Sequence, residues 1–235
     1  MPELIVVIPV YNEAEIIETV VQDWISTLDG LAISYQVRLY NDGSTDDTRL
    51  VLDRLAAQFG AKTEVIHKAN TGHGPTLLQA YQESLAADWI FQVDSDNEIT
   101  ASHFPSMWGK RHEFDFLIGR RTGQQNPPMR RLMSYVSRVL VRVLFGKGIH
   151  DVNSPYRLMR VSRFGPFFQA IPGDTFAPNI MISGLALRQK MRICEETVAY
   201  RSRTTGLPSL GGHVTKLLSI SLRSFKELIA YAITS

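Results

Sequence analysis

Trp89-Ile90-Phe91-Gln92-Val93-Asp94-Ser95-Asp96 runs from a mainly apolar stretch directly into two carboxylates. A short apolar run of this kind reads as a buried strand, so the carboxylates emerge together at its carboxyl end. In an open α/β sheet the ligand crevice lies at that end of the strands. Two hard oxygen donors there suit Mg²⁺ or Mn²⁺ shared with a diphosphate. Asp-x-Asp also occurs in turns and helix caps, so its meaning depends on the chain around it.

Upstream, residues 4–10, 35–40 and 63–67 read as three further strands. Residues 13–28 carry Ile16, Ile17, Val20, Val21, Trp24 and Ile25 at a helical period. A second helix begins at Asp46 or Asp47 and ends at Gly60, and a third runs from the turn at 71–75 to about Ala87. This alternation predicts a doubly wound, parallel α/β sheet with right-handed crossovers. Downstream the pattern loosens, with a helix over 99–110, a strand over 114–118 and a loop over 123–128. Residues 129–145 form an amphipathic basic helix, followed by a helix over 177–190, a strand over 192–199 and a loop over 200–212. The expected organisation is one domain over residues 1–210 with an elaborated second half. Residues 211–235 would be an amphipathic helix packed on the domain, a partner or a membrane surface.

Composition narrows the class. With 235 residues, 44% hydrophobic and 20% charged, the chain is an ordinary globular one. A net charge of +2 is too small to argue for nucleic acid as a partner. Cys194 is the sole cysteine, which excludes an intrachain disulfide and fits a reducing compartment. The six histidines show no zinc-ligand spacing. No signal peptide and no membrane span are expected, which suits a cytoplasmic protein, either free or peripheral on the cytoplasmic membrane face.

Each strand end offers chemistry beside a plainer reading. After Pro9, Tyr11 can stack on a base and Glu13 can accept from a ribose hydroxyl; the plain alternative is a connection with Asn12 as helix N-cap. Asp42 can accept from a base N–H, with Gly43 permitting close backbone approach; the alternative is a glycine turn before a capped helix. Gly72-His73-Gly74 before a helix can receive phosphate, or can be turn chemistry followed by the first-turn proline Pro75.

Taken in order, Pro9-x-Tyr11-Asn12-Glu13, Asp42-Gly43-Ser44-Thr45-Asp46 and Asp94-x-Asp96 resemble the nucleotide-sugar half of the inverting family 2 glycosyltransferases, which have the GT-A fold. The likeness is greatest to the branch of dolichyl-phosphate mannose synthase and the bacterial polyprenyl-phosphate glycosyltransferases, and it covers residues 4–210. It implies a Rossmann-like, mostly parallel sheet. It assigns Pro9, Tyr11, Glu13 and Asp42 to the nucleoside, and Asp94 and Asp96 to metal and diphosphate. Glu98 matches a third metal position, usually glutamine in the family.

The same resemblance gives roles to arginines, whose planar fork meets phosphate oxygens bidentately. Gly119-Arg120-Arg121 matches the family's Gly-Ser-Arg stretch, and Arg120 is assigned to the donor. Arg130 and Arg131 open the basic helix, where the family places a phosphate-binding arginine; spacing does not choose between them, and Arg131 is the one assigned. Asp151-Val152-Asn153-Ser154-Pro155-Tyr156-Arg157 matches another stretch and places Arg157 with the donor. Arg201 and Arg203 match the terminal loop, with Arg203 on phosphate. Pro155 where glycine is usual, and a terminal loop one residue longer and without its lysine, are departures on the acceptor side.

In the implied reaction an acceptor oxygen displaces a nucleoside diphosphate from the anomeric carbon of a hexose, with Asp96, Arg131 and Arg203 serving catalysis. A GDP-mannose or UDP-glucose type donor and a polyprenyl or dolichyl phosphate acceptor are expected, with contact to a membrane surface or a membrane protein. Such a phosphate is anionic and needs no general base. A saccharide or other hydroxyl acceptor would need one, with Asp151 and Asp174 as candidates. A sugar-nucleotide-forming enzyme would need a glycine-rich loop with arginine and lysine after the first strand, which is not found. A degenerate binding module would have lost at least one of the three carboxylates, and all are present.

Overall fold

A computed structural model describes residues 1–123, 135–136, 138–139, 141–144, 146 and 148–201. Its strands are β1 (Leu4–Val10), β2 (Tyr35–Asp42), β3 (Thr63–Lys68), β4 (Trp89–Gln92), β5 (Phe116–Thr122), β6 (Arg157–Arg160) and β7 (Ile193–Ala199). They form one sheet in the order β3-β2-β1-β4-β6-β5-β7. All neighbours are parallel except β6, which is antiparallel to both β4 and β5.

The continuous apolar strands have a simple cause: the sheet is covered on both faces. Leu4, Val6, Ile8 and Val10 of β1 face α1 (Ile17–Asp29), α2 (Thr48–Phe59) and α4 (Phe104–Gly109). Ile5 and Val7 face the other way, toward α3 (His73–Glu83), α5 (Val161–Ala170) and α6 (Pro178–Arg188). On α1 the buried residues Ile17, Val20, Val21, Trp24, Ile25 and Leu28 make the stripe expected of a helix on a sheet. The tilted and edge-on contacts of Trp24 with Phe91, Phe104 and Tyr156 join that helix to β4, α4 and the segment before β6.

β1 spans the expected residues, running through Pro9 to Val10, which still pairs with Asn41. β4 ends opposite Val7, so the last residues of β1 have a sheet neighbour only on the β2 side, where a proline is tolerated. β5 reaches Thr122 rather than Ile118, which puts Arg120 and Arg121 on the strand itself. The sequence reading contained neither β6 nor α5. Four residues, Arg-Leu-Met-Arg, give little apolar signal, and the fully buried Arg157 disguises a core position. Described residues 135–136, 138–139 and 141–144 are helical, in keeping with the expected basic helix. The expected helix over 211–235 lies outside the described residues.

Candidate active site

Because β1, β2 and β4 are parallel, residues 11–14, 43–48 and 94–98 leave the sheet at one edge. β6 runs the other way, so the segment entering it arrives at the same edge, with Arg157 opposite Gln92.

Cross-loop hydrogen bonds fasten the first two exits together. Asn12 N–H donates to Ser44 Oγ (3.0 Å), Thr45 N–H to Asn12 Oδ1 (2.8 Å), Glu13 N–H to Thr48 Oγ1 (2.9 Å) and Ala14 N–H to Asp46 Oδ2 (3.4 Å). Asn12 is therefore a strap between loops, not the N-cap of α1, and it adopts a φ of 55°, which asparagine tolerates. Between these loops Tyr11 is exposed, while Pro9 and Glu13 are buried.

Asp42 is buried and directs its carboxylate into the 68–72 loop. Oδ1 accepts from Lys68 Nζ (2.5 Å) and Thr71 N–H (2.9 Å), and Oδ2 accepts from Gly72 N–H (2.9 Å). Burial pushes its pKa up, but the bonds from Lys68, Thr71 and Thr76 outweigh that and hold it below the usual carboxylate range. Gly43 does permit a close approach, but by the backbone of Asn70: a Cβ would lie 2.7 Å from Asn70 N, at a φ of 68°.

Asp94, Asp96 and Glu98 are half-buried at the edge. Asp94 Oδ1 accepts from Gln92 Nε2 (3.4 Å) and lies 3.8 Å from Nε2 of His73, the first residue of α3. Asp96 Oδ1 accepts the Glu98 N–H (3.1 Å) around Asn97, whose φ is 57°. That turn sends Glu98 toward Tyr200, to which it is hydrogen-bonded, and the Glu98 carbonyl accepts the Arg201 N–H (2.8 Å). The expected set of three carboxylate ligands is not assembled: among the described residues no group of three or more His, Cys, Asp or Glu side chains is placed to hold a metal ion. Asp94 and Asp96 nevertheless fit a hard divalent cation, because one or two carboxylates beside substrate phosphates and water are the usual protein share of such a site.

The arginines divide differently from the sequence reading. Arg120 is exposed, whereas Arg121 is the one directed to the carboxylates. Arg121 Nε and Nη2 donate to the two oxygens of Asp151 (2.8 and 2.9 Å). Burial opposes its charge, but Asp151, Asp94 and Glu98 outweigh burial and raise its pKa. Arg157, expected on the donor, is instead fully buried. Its Nε donates to Ser154 O (2.9 Å), Nη1 to Asn179 O (3.0 Å) and Nη2 to Ser154 O (2.5 Å), and the guanidinium lies over the Phe116 ring. Burial pulls its pKa down to about 10, so it stays charged at neutral pH. The guanidinium thus binds together the 152–154 segment and α6, and its fork is turned from the edge. Arg130, Arg131 and Arg203 lie outside the described residues.

Lys68, Tyr81 and Gln92 also belong to the surroundings of the site and were missed. A polar glutamine inside the apolar strand 89–93 was the available signal for one of them.

Residues 5–165 match the model of the family described as glycosyl transferase family 2. Glycosyltransferase AglJ of Haloferax volcanii is 30% identical over 154 residues, covering 63% of this chain and 47% of that protein. Polyprenol monophosphomannose synthase of Mycolicibacterium smegmatis is 24% identical, over 88% of this chain and 81% of that one. An undecaprenyl-phosphate 4-deoxy-4-formamido-L-arabinose transferase of Pseudomonas paraeruginosa is 26% identical, over 86% and 58%. The chain thus spans only about half the length of some curated relatives it matches. Among solved structures, glucosyl-3-phosphoglycerate synthase of Mycobacterium tuberculosis, in complex with Mn²⁺, UDP and phosphoglyceric acid, superimposes with a TM-score of 0.71 at 17% identity. The match covers 98% of this chain and 78% of that one, and supports the mostly parallel GT-A sheet.

Proposed function

The chain belongs to glycosyl transferase family 2, and on that premise we propose that it moves a hexose from a nucleoside diphosphate sugar to a polyprenyl phosphate, with inversion. The observation that carries the reading is the convergence, at one sheet edge, of the strapped loops 11–14 and 44–48 with Asp94 and Asp96. Tyr11 offers an exposed ring to the base beside the buried Glu13. Asp94 and Asp96 would hold Mg²⁺ or Mn²⁺ together with the diphosphate. When bound, that ion supplies positive charge against the negative charge on the departing diphosphate. Arg121, held by Asp151, stands at the same edge, where Arg131 and Arg203 would add positive charge. The relatives whose printed names include polyprenol and undecaprenyl phosphate support the acceptor, and the Mn²⁺ and UDP of the structural neighbour support the donor side.

The state of Asp151 favours an anionic acceptor. A general base needs a carboxylate open to its proton donor, and Asp151 is held bidentately by Arg121 and also accepts its N–H (3.3 Å). A phosphate acceptor needs no such base. No helix among the described residues is long and apolar enough to cross a membrane. Tyr135, Val136, Val139 and Val143 do expose an apolar face, while Val141 of the same segment is buried. That amphipathic arrangement supports peripheral contact with a lipid surface.

The test is transfer itself. The protein is incubated with Mg²⁺ or Mn²⁺, a polyprenyl phosphate in detergent, and labelled GDP-mannose or UDP-glucose in turn, and label is counted in the organic phase. Metal-dependent label in lipid that Asp96→Ala abolishes is the expected result. Nucleotide release without lipid label would move the acceptor to a hydroxyl compound, and no turnover of either donor would remove the reading.

A further inference from the structure

A buried polar chain runs inward from Asp94. Gln92, on β4, lies with Nε2 3.4 Å from Asp94 Oδ1. The hydroxyl of Tyr81, on α3, is 2.7 Å from Gln92 Oε1 and 2.9 Å from Asn179 Oδ1, on α6. Gln92 and Tyr81 are fully buried and Asn179 is nearly so. A phenol carries one hydrogen and cannot donate to two amide oxygens, so one amide must present its NH₂ to the phenolic oxygen. If Gln92 turned, its carbonyl oxygen would face the Asp94 carboxylate, setting acceptor against acceptor. Asn179 is therefore the amide that turns. Asn179 Nδ2 donates to Tyr81, Tyr81 donates to Gln92 Oε1, and Gln92 Nε2 donates to Asp94. Every donor in the chain points toward the site, and Arg157 anchors its inner end by donating to the main-chain carbonyl of Asn179 (3.0 Å).

Packing alone does not ask for these atoms. Tyr81 stacks on Phe168 with ring centroids 4.8 Å apart, which phenylalanine would do equally well. Buried amides and hydroxyls are unfavourable in a core unless all are bonded to one another. Resting on the reading of Asp94 as a carboxylate for the diphosphate and its cation, we propose that Tyr81 and Gln92 are positioning residues. Their chain of donors fixes the orientation in which Asp94 receives the cation and ties donor binding to the packing of α3 and α6. Hydrogen bonds that orient a metal-binding carboxylate typically change metal affinity by about 10- to 100-fold when removed.

The experiment titrates the full chain with Mn²⁺ in the presence of UDP or GDP and follows the loss of the free-ion electron paramagnetic resonance signal. Wild type, Asp96→Ala, Tyr81→Phe and Gln92→Met are compared, with thermal melting in parallel. Wild type should bind, Asp96→Ala should not, and Tyr81→Phe and Gln92→Met should each weaken binding by about ten-fold. That loss should appear in whichever of the two variants melts cooperatively near the wild-type temperature. A folded Tyr81→Phe or Gln92→Met that binds Mn²⁺ as wild type does would overturn the proposal while leaving the donor site intact. A wild type that takes up no Mn²⁺ with either nucleotide would overturn it together with the reading it rests on.

Discussion

At the ends of β1 and β2, side chains bind backbone: Asn12, Ser44, Asp46 and Thr48 each meet a main-chain N–H of the facing loop, and the buried Asp42 meets two more. Around β5, β6 and β7, charge meets charge or carbonyl. Arg121 is held by Asp151, Asp115 accepts from Arg192, Glu196 pairs with Lys110, and Arg157 is surrounded by carbonyls. The first arrangement ties the two loops to each other through backbone donors, beside Asp94 and Asp96. The second keeps cations in place by giving each a fixed partner, so that removing one member leaves a charge or several carbonyls unmatched in the interior.

The sharpest separation of the two regions comes from Asp96→Asn, which keeps an acceptor for the Glu98 N–H but removes the charge. Initial-rate transfer should fall by about a thousand-fold while the melting temperature hardly moves. Arg157→Met should do the reverse. It leaves buried carbonyls of Ser154 and Asn179 without donors, and urea denaturation should register a loss of about 3 kcal/mol. An Arg157→Met protein of unchanged stability would break the comparison.

Gly74, at the start of α3, joins the regions: a Cβ there would lie 2.3 Å from the carbonyl oxygen of Phe176 and 2.5 Å from that of Thr175. Gly74→Ala should cost about 2 kcal/mol, because the obstructing atoms are backbone and cannot swing aside. The smallest effect is acid sensitivity. The folded pKa of Asp42 lies below its ordinary value of 3.8, so its contribution is fully present above that pH and is lost as pH falls through the folded value. As pH falls below 3.8, wild type should therefore lose more stability than Asp42→Asn does, measured by denaturation at each pH.

Legibility followed the same division. Strands β1 to β4 were readable because burial on both faces makes continuous apolar runs, and their ends carried the motif residues. What could not be read was where polar side chains point. Asn12 looks like a helix cap in one dimension, yet its partner is Thr45. Arg120 and Arg121 are interchangeable as letters, and only the position of β5 in the sheet selects Arg121. β6 was hidden because its first residue is an arginine used as a core residue. α6, buried along nearly its whole circumference from Pro178 to Ala186, has no one-sided apolar stripe to read.

The antiparallel strand between β4 and β5 also acts as a ruler. It sets the acidic strand end and the Arg121 strand end two ladder spacings apart, about 10 Å at roughly 4.8 Å per step. That gap is written in backbone hydrogen bonds, so loop residues around it can change without altering the distance across which anionic and cationic groups face each other. Variation of acceptor among chains built this way would then be a matter of what fills a fixed gauge, not of resetting it.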